Sequence, residues 1–347
     1  MSLTGQLDDK NSLVHQFFVK YEDRVGTKEC LSLLQSSKYL TLPLFKPSPP
    51  RPYYPYVGTT VDYLIRYISN NNHLDFEATI AGSMGVPIEE GQLESIQRIC
   101  TQVEGSMGVP ITDEDIIGAR FCDYVLLEKI AKVYLDGRRV DELAVYSATA
   151  LAMLDGLHRS GRLPKSFGQN MPEEKMFRIG RLPCGSNINE KTVMFLFDEY
   201  CFDALNWELY VQDVLAITGL FVDALNKPNG DLYQTKFVVF NQALANSGWV
   251  GGADFDCIIQ QNGRAILTDI KTTTIELKIA HLRQLIGYVL LHDELLDGFG
   301  ITDVGIYSAR AGSFRYLPIE DLVKKCMPTF NSISEVKKYF RSEVRLN

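Results

Sequence analysis

The sequence predicts an α/β fold, a mixed central sheet flanked by helices and carrying a large helical insertion. Two β-forming runs meet at Asn262-Gly263, the strongest two-residue hairpin signal. The segment Ile275 to Leu295 then carries Leu282, Leu285, Ile286, Val289 and Leu290 at helical spacing and leads to a further β-forming run, Ile301 to Ser308. From Thr112 to Lys227 the pattern is helical, with few strand signals.

Taken in order, residues 11–40 hold helix-like runs at Leu13, Val14, Phe17 and Phe18 and again around Leu31 to Leu34, which cap the core. Leu42 to Tyr56 contains six prolines among Lys46, Arg51, Tyr53, Tyr54 and Tyr56, which reads as extended, polyproline-like backbone. As a spacer it is a rigid connector; as an exposed strip, its tyrosines and cations suit single-stranded nucleic acid.

Gly58 to Ile68 begins a helix with Val61, Leu64, Ile65 and Ile68 on one face and Asp62 and Arg66, four apart, on the other. Gly82-Ser83-Met84-Gly85-Val86-Pro87-Ile88 recurs 23 residues later as Gly105-Ser106-Met107-Gly108-Val109-Pro110-Ile111. Neither copy has the lysine and Ser/Thr of a phosphate-cradling loop, so no nucleotide is expected there.

Helices are expected at Asp113 to Leu135, Asp141 to Arg159 and Thr192 to Leu225, the first preceded by Thr112 and Asp115 in a cap-like pattern. Between them Ser160 to Asn189 is a long basic loop with Arg162, Lys165, Lys175, Arg178 and Arg181, which reads either as a solvated loop or as a contact for a substrate strand. Pro228-Asn229-Gly230-Asp231 turns the chain back into strands at Thr235 to Phe240, Ala253 to Gln260 and Arg264 to Lys271. After Ile301 to Ser308, Ala309-Arg310-Ala311-Gly312-Ser313 is a turn, Phe314 to Pro318 a strand and Ser334 to Arg341 a last helix. The organisation expected is residues 1–57 as an N-terminal helical and Pro-rich segment, 58–80 as a first core helix, 81–230 as the helical insertion and 231–347 as the catalytic core.

Of the 347 residues, 46% are hydrophobic and 22% charged, ordinary for a globular protein. No apolar run reaches the roughly 18 residues of a membrane span and Met1 to Lys20 lacks a signal-peptide layout, so the expected location is cytoplasmic, with no membrane partner. Seven scattered cysteines suit reduced thiols. The net charge of −8 argues against a surface coated in positive field, while leaving room for a local basic groove.

The chemistry concentrates near the C-terminal end. Side chains alternate faces along a strand, so Asp254 and Asp256 share a face, as do Asp269 and Lys271, and a hairpin brings the two sets together. Gln284 and Tyr288 lie one turn apart on the following helix, with His281 three residues before Gln284. The strands are rich in isoleucine and leucine, where an unpaired carboxylate is costly and two repel each other unless a cation joins them. Paired carboxylates suit a hard cation, Mg²⁺ or Mn²⁺, and a lysine beside them can orient water or offset transition-state charge.

Gly251-Gly252-Ala253-Asp254, Asp269-Ile270-Lys271-Thr272 and Gln284-Leu285-Ile286-Gly287-Tyr288 resemble the successive motifs of the PD-(D/E)xK nuclease superfamily, in its RecB-like exonuclease branch. Gly58-Thr59-Thr60-Val61-Asp62 resembles that branch's early-helix motif, with Asp62 where histidine is common. The resemblance covers about 58–68 and 241–310. It implies a restriction-endonuclease-like fold and a metal set of Asp254, Asp269, Asp62 and Ile270. It also implies Lys271 as the water-positioning catalytic residue and Gln284 and Tyr288 as substrate-holding ones. Branch members that carry an iron–sulfur cluster need three clustered C-terminal cysteines; here only Cys326 follows the Gln-Tyr helix, so no cluster is expected.

The expectation is a metal-dependent nuclease acting on single- or double-stranded DNA, exonucleolytic by resemblance, in DNA processing, repair or defence. The alternatives are a nuclease-like binding module that has lost catalysis and an RNase activated by a protein partner docking on the helical insertion.

Overall fold

A computed structural model describes residues 2–35, 54–69, 140–142, 144–145, 148–149, 152, 204–273 and 276–344. The chain divides into two compact units, Met1–Pro43 with Leu220–Asn347, and Leu44–Gly219. The 23-residue repeat, the expected helix 113–135, the loop 160–189 and the Pro-rich stretch before Tyr54 lie outside the described residues.

The first unit is built on a five-stranded mixed sheet with strand order β1 (Lys236–Phe240), β2 (Cys257–Gln261), β3 (Arg264–Lys271), β4 (Asp303–Ser308) and β5 (Ser313–Pro318). All neighbours are antiparallel except β3 and β4. The β2–β3 hairpin closes with Gln261 opposite Arg264 and with φ of 52° at Asn262 and 75° at Gly263. Both turn residues are left-handed, the requirement that selects Asn-Gly. A parallel pair cannot be joined by a tight turn. The crossover from β3 to β4 runs through α6 (Ile279–Leu291), numbered after α1 (Leu3–Asp8), α2 (Leu13–Tyr21), α3 (Arg24–Leu34), α4 (Tyr54–Ser69) and α5 (Ala204–Asn226).

Period-2 alternation gives each sheet face its own cover. Ile258, Leu267, Val304 and Ile306 join one core with Leu282, Leu285, Ile286 and Val289 of α6. Phe221 of α5 packs edge-on against Tyr307 and Phe237, residues of β4 and β1.

The N-terminal helices belong to this unit. Ser12 caps α2 by accepting the His15 N–H at 3.0 Å, and the Asp23 carboxylate caps α3. Leu3 of α1 lies against α6 where Gly287 leaves room; a Cβ there would meet Leu3 Cδ2 at 2.9 Å. Glu22 grips Arg283 of α6 through Nε and Nη2, with both side chains largely buried. The crossover continues through the short α7 (Glu294–Asp297) before β4, and after β5 come α8 (Ile319–Cys326) and α9 (Ile333–Val344), which complete the core with Leu322, Val323, Val336 and Phe340.

In the second unit, α4 begins at Tyr54, so residues 54–56 are helical rather than polyproline-like. Pro55 falls in the first turn, where its missing N–H costs no intrahelical bond. Tyr210 anchors α5 there, its hydroxyl 2.6 Å from Thr60 Oγ1 and 3.1 Å from Thr149 Oγ1. Among the described residues, no helix is long and apolar enough to cross a membrane.

Candidate active site

The Gly251-Gly252 turn sets the approach to the carboxylates. Gly251 (φ 75°) ends a 3-10 turn, Ser247–Val250, and Gly252 has φ 117°, backbone open to glycine at little cost. The N-terminus pins this turn: Leu3 N–H donates to Gly252 O at 2.8 Å and Gln6 Nε2 to Val250 O at 2.7 Å.

β2 starts at Cys257, four residues later than the strand expected from Ala253. Asp254 precedes it, joined only by an isolated bridge to Ala243, and is exposed. The burial expected of Asp254 is therefore corrected. Asp256 is the residue drawn in. Cys257 pairs with Thr268, so Asp256 falls opposite Asp269 on the same sheet face. β3 runs beyond the start of β2, leaving backbone groups without a ladder partner, and Asp256 Oδ2 accepts the Ile270 N–H at 2.6 Å. The Asn241 N–H donates to Asp256 O at 3.0 Å and holds its backbone from the other side.

Asp269 is 1% exposed, and Lys271 Nζ lies 2.6 Å from its Oδ2. Lys271 Nζ also donates to Gln284 Oε1 at 3.1 Å, and Gln284 Nε2 donates to Tyr288 OH at 2.7 Å. A chain of hydrogen bonds thus runs from the carboxylate through lysine and glutamine to a buried phenol. Burial alone would push the Lys271 ammonium down; Asp269 and Asp256 outweigh it and hold it above its ordinary value. Burial pushes the Tyr288 phenol well above its ordinary range, reinforced by the charges of Asp269 and Asp256 and, more weakly, Asp254. Tyr288 therefore stays neutral and keeps its own O–H to donate.

His281 is part of this neighbourhood and not a detached surface residue. Its Nδ1 accepts the Lys278 N–H at 3.1 Å in the first turn of α6, which leaves the proton on Nε2. Burial, with the positive charges of Lys271 and Lys278, brings its pKa down to about 4.

The structure brings together Asp256, Asp269, Lys271, Gln284 and Tyr288, with Asp254 at the edge and Ile270 contributing its N–H to Asp256. Asp62 lies in the second unit, bonded to Arg66 four residues on, with Arg66 also over the Tyr63 ring at 5.1 Å. That pair is largely buried. Among the described residues, no three His, Cys, Asp or Glu side chains converge in a metal-holding group. Asp256 and Asp269 supply two hard oxygen donors, and Mg²⁺ sites commonly use one or two carboxylates with water and substrate phosphate. The donor set fits Mg²⁺ or Mn²⁺.

Asp256, which the motif pattern ranks behind Asp254, is the carboxylate that faces Asp269. Strand register was the signal that could have found it. No protein-family model, curated protein or solved structure matches the chain.

Proposed function

We propose that the protein is a Mg²⁺- or Mn²⁺-dependent nuclease of restriction-endonuclease-like fold that hydrolyses DNA phosphodiesters. The observation that supports this reading is the single cluster of Asp256, Asp269, Lys271, Gln284 and Tyr288 on one sheet face. Asp256 and Asp269, with Asp254 beside them, would hold the cation, which would supply Lewis acidity at the phosphoryl oxygen. Lys271 orients the attacking water and offsets charge as the phosphorane-like transition state forms. Gln284 fixes Lys271 at one end and Tyr288 at the other, leaving the phenol to donate to substrate or water. The Ile270 N–H keeps Asp256 from rotating away from Asp269.

The test is incubation of end-labelled linear and circular DNA, single- and double-stranded, and of RNA, with Mg²⁺ or Mn²⁺, comparing wild type with Lys271→Ala. Wild type is expected to degrade DNA and the variant to lose that activity by at least about 100-fold, the scale of one electrostatic group in hydrolysis. A second reading, a nuclease-like binding module without catalysis, is favoured by the direct closure of Lys271 on Asp269, which satisfies the carboxylate without a cation. Failure of the wild type to cut any substrate with either metal selects that reading.

A further inference from the structure

We infer that the Ser308 hydroxyl, together with the Lys271 ammonium, holds the water that attacks the phosphodiester; the inference deepens the nuclease reading and rests on it. β3 and β4 run parallel, with Lys271 in register with Ser308 and Asp269 with Ile306. Ser308 therefore stands beside Lys271 on the sheet face of Asp269, the face that Ile306 shares with the core residues of α6.

The local partners open to the Ser308 hydroxyl are not used. The residue is 1% exposed, and its Oγ has no hydrogen-bond partner among the described residues. Ser308 is the N-cap of the 3-10 turn Ala309–Ala311, a position where serine is favoured because its oxygen accepts an N–H of the first turn, yet that bond is not made. Ser313, directly opposite on β5, gives its own hydroxyl to Asp231 Oδ2 at 2.9 Å. A buried hydroxyl without a partner is costly, and such departures from good packing concentrate at functional sites.

Lys271 supplies the second half of the site. An ammonium has three N–H donors, and Asp269 Oδ2 at 2.6 Å and Gln284 Oε1 at 3.1 Å account for two. A water that accepts the third N–H and gives one O–H to Ser308 Oγ keeps its other lone pair for phosphorus. A buried water is held by about two to four polar partners, of which these are two. In hydrolysis the water oxygen bonds to phosphorus as the bond from phosphorus to the leaving sugar oxygen breaks. The water releases a proton to solvent and the departing oxygen takes one up, so Ser308 orients the water and keeps its own proton.

The experiment compares full-length wild type, Ser308→Ala and Ser308→Cys. It reads single-turnover cleavage of end-labelled DNA and RNA in Mg²⁺ or Mn²⁺, DNA affinity in Ca²⁺, chosen to limit turnover, and the thermal midpoint without metal. Alanine removes the hydroxyl; cysteine keeps the size and offers only a weak donor and acceptor. Ser308→Ala is expected to cleave about tenfold more slowly, the scale of one neutral hydrogen bond. Its DNA affinity is expected to match wild type, and its midpoint to equal or exceed the wild-type value, since it discards a buried hydroxyl without a partner. Ser308→Cys is expected to follow Ser308→Ala.

A serine that only fills space at the strand end predicts the same affinity and midpoint with unchanged cleavage. Ser308→Ala that cleaves at the wild-type rate therefore overturns the water site while leaving the nuclease reading intact. Weakened DNA affinity with unchanged single-turnover cleavage overturns it too, because the hydroxyl then contacts the DNA. A lower midpoint overturns it by showing that the hydroxyl is already satisfied within the fold. Should Ser308→Ala fail to fold, wild-type cleavage by Ser308→Cys overturns it instead. Wild type that cleaves neither DNA nor RNA with either metal removes the nuclease reading and the water site with it.

Discussion

Replacing Lys271 by methionine isolates the electrostatic problem at the centre of the site. The substitution keeps an unbranched stem and removes the ammonium that lies 2.6 Å from Asp269 Oδ2. Asp269, 1% exposed and opposite Asp256, then loses the Lys271 ammonium. Removing one partner of a buried ion pair costs about 3–5 kcal/mol. For a unit the size of Met1–Pro43 with Leu220–Asn347 this corresponds to a fall of about 6–20 °C in the unfolding midpoint.

On the proposed function, a divalent cation held at the carboxylates is expected to offset part of that loss. At about 100 times its dissociation constant a ligand stabilises the folded state by about 2.7 kcal/mol. Differential scanning fluorimetry of wild type and Lys271→Met, with and without Mn²⁺, gives both quantities. The expected result is a lower midpoint without metal and a larger Mn²⁺-induced rise in the variant than in wild type. The double variant Asp269→Leu, Lys271→Met is expected to regain most of the lost stability and to lose most of the Mn²⁺ response. A Lys271→Met protein as stable as wild type, or one that Mn²⁺ does not stabilise, refutes the reasoning.

Three further substitutions probe the scaffold and the pH response. Gly263→Val places a β-branched residue at φ 75° in the hairpin turn and is expected to lower stability by about 1–2 kcal/mol in a urea titration; an unchanged midpoint contradicts the turn assignment. Glu22→Ala leaves Arg283 largely buried without its carboxylate and is expected to cost about 3–5 kcal/mol, read the same way. His281 has a folded-state pKa of about 4, below its ordinary value of 6.5, so the unfolded chain binds the proton more readily between these values. Its contribution is fully present above about pH 6.5 and is lost as pH falls toward 4. His281→Asn is expected to flatten the acid side of the stability profile, and an unchanged slope rules out a buried neutral imidazole.

The hairpin and the crossover helix were legible because their signals are local. Asn262-Gly263 can close only a narrow set of turns, and the apolar stripe of α6 repeats over three turns. Alternation put Asp254 and Asp256 on one face, but only the pairing of Cys257 with Thr268 shows that Asp256 meets Asp269. That register arises from long-range pairing, as does the late start of β2. α1, six residues with a glycine among them, is too short for a periodic pattern, and its role appears only through its bonds to the Gly251-Gly252 turn. Nothing in the neighbours of Arg310 along the chain indicates its bond to Thr272 at the end of β3.

The central claim is that Asp256, Asp269 and Lys271 form one metal-dependent hydrolytic centre. It is tested most directly by single-turnover cleavage of end-labelled DNA by wild type, Asp256→Asn and Asp269→Asn, in Mg²⁺, after chelation, and after Mg²⁺ is restored. The account predicts cleavage by wild type that disappears on chelation and returns with the metal, and loss of cleavage in both variants while they remain folded. Wild-type cleavage that survives chelation, or an Asp269→Asn protein that cuts at the wild-type rate, contradicts it.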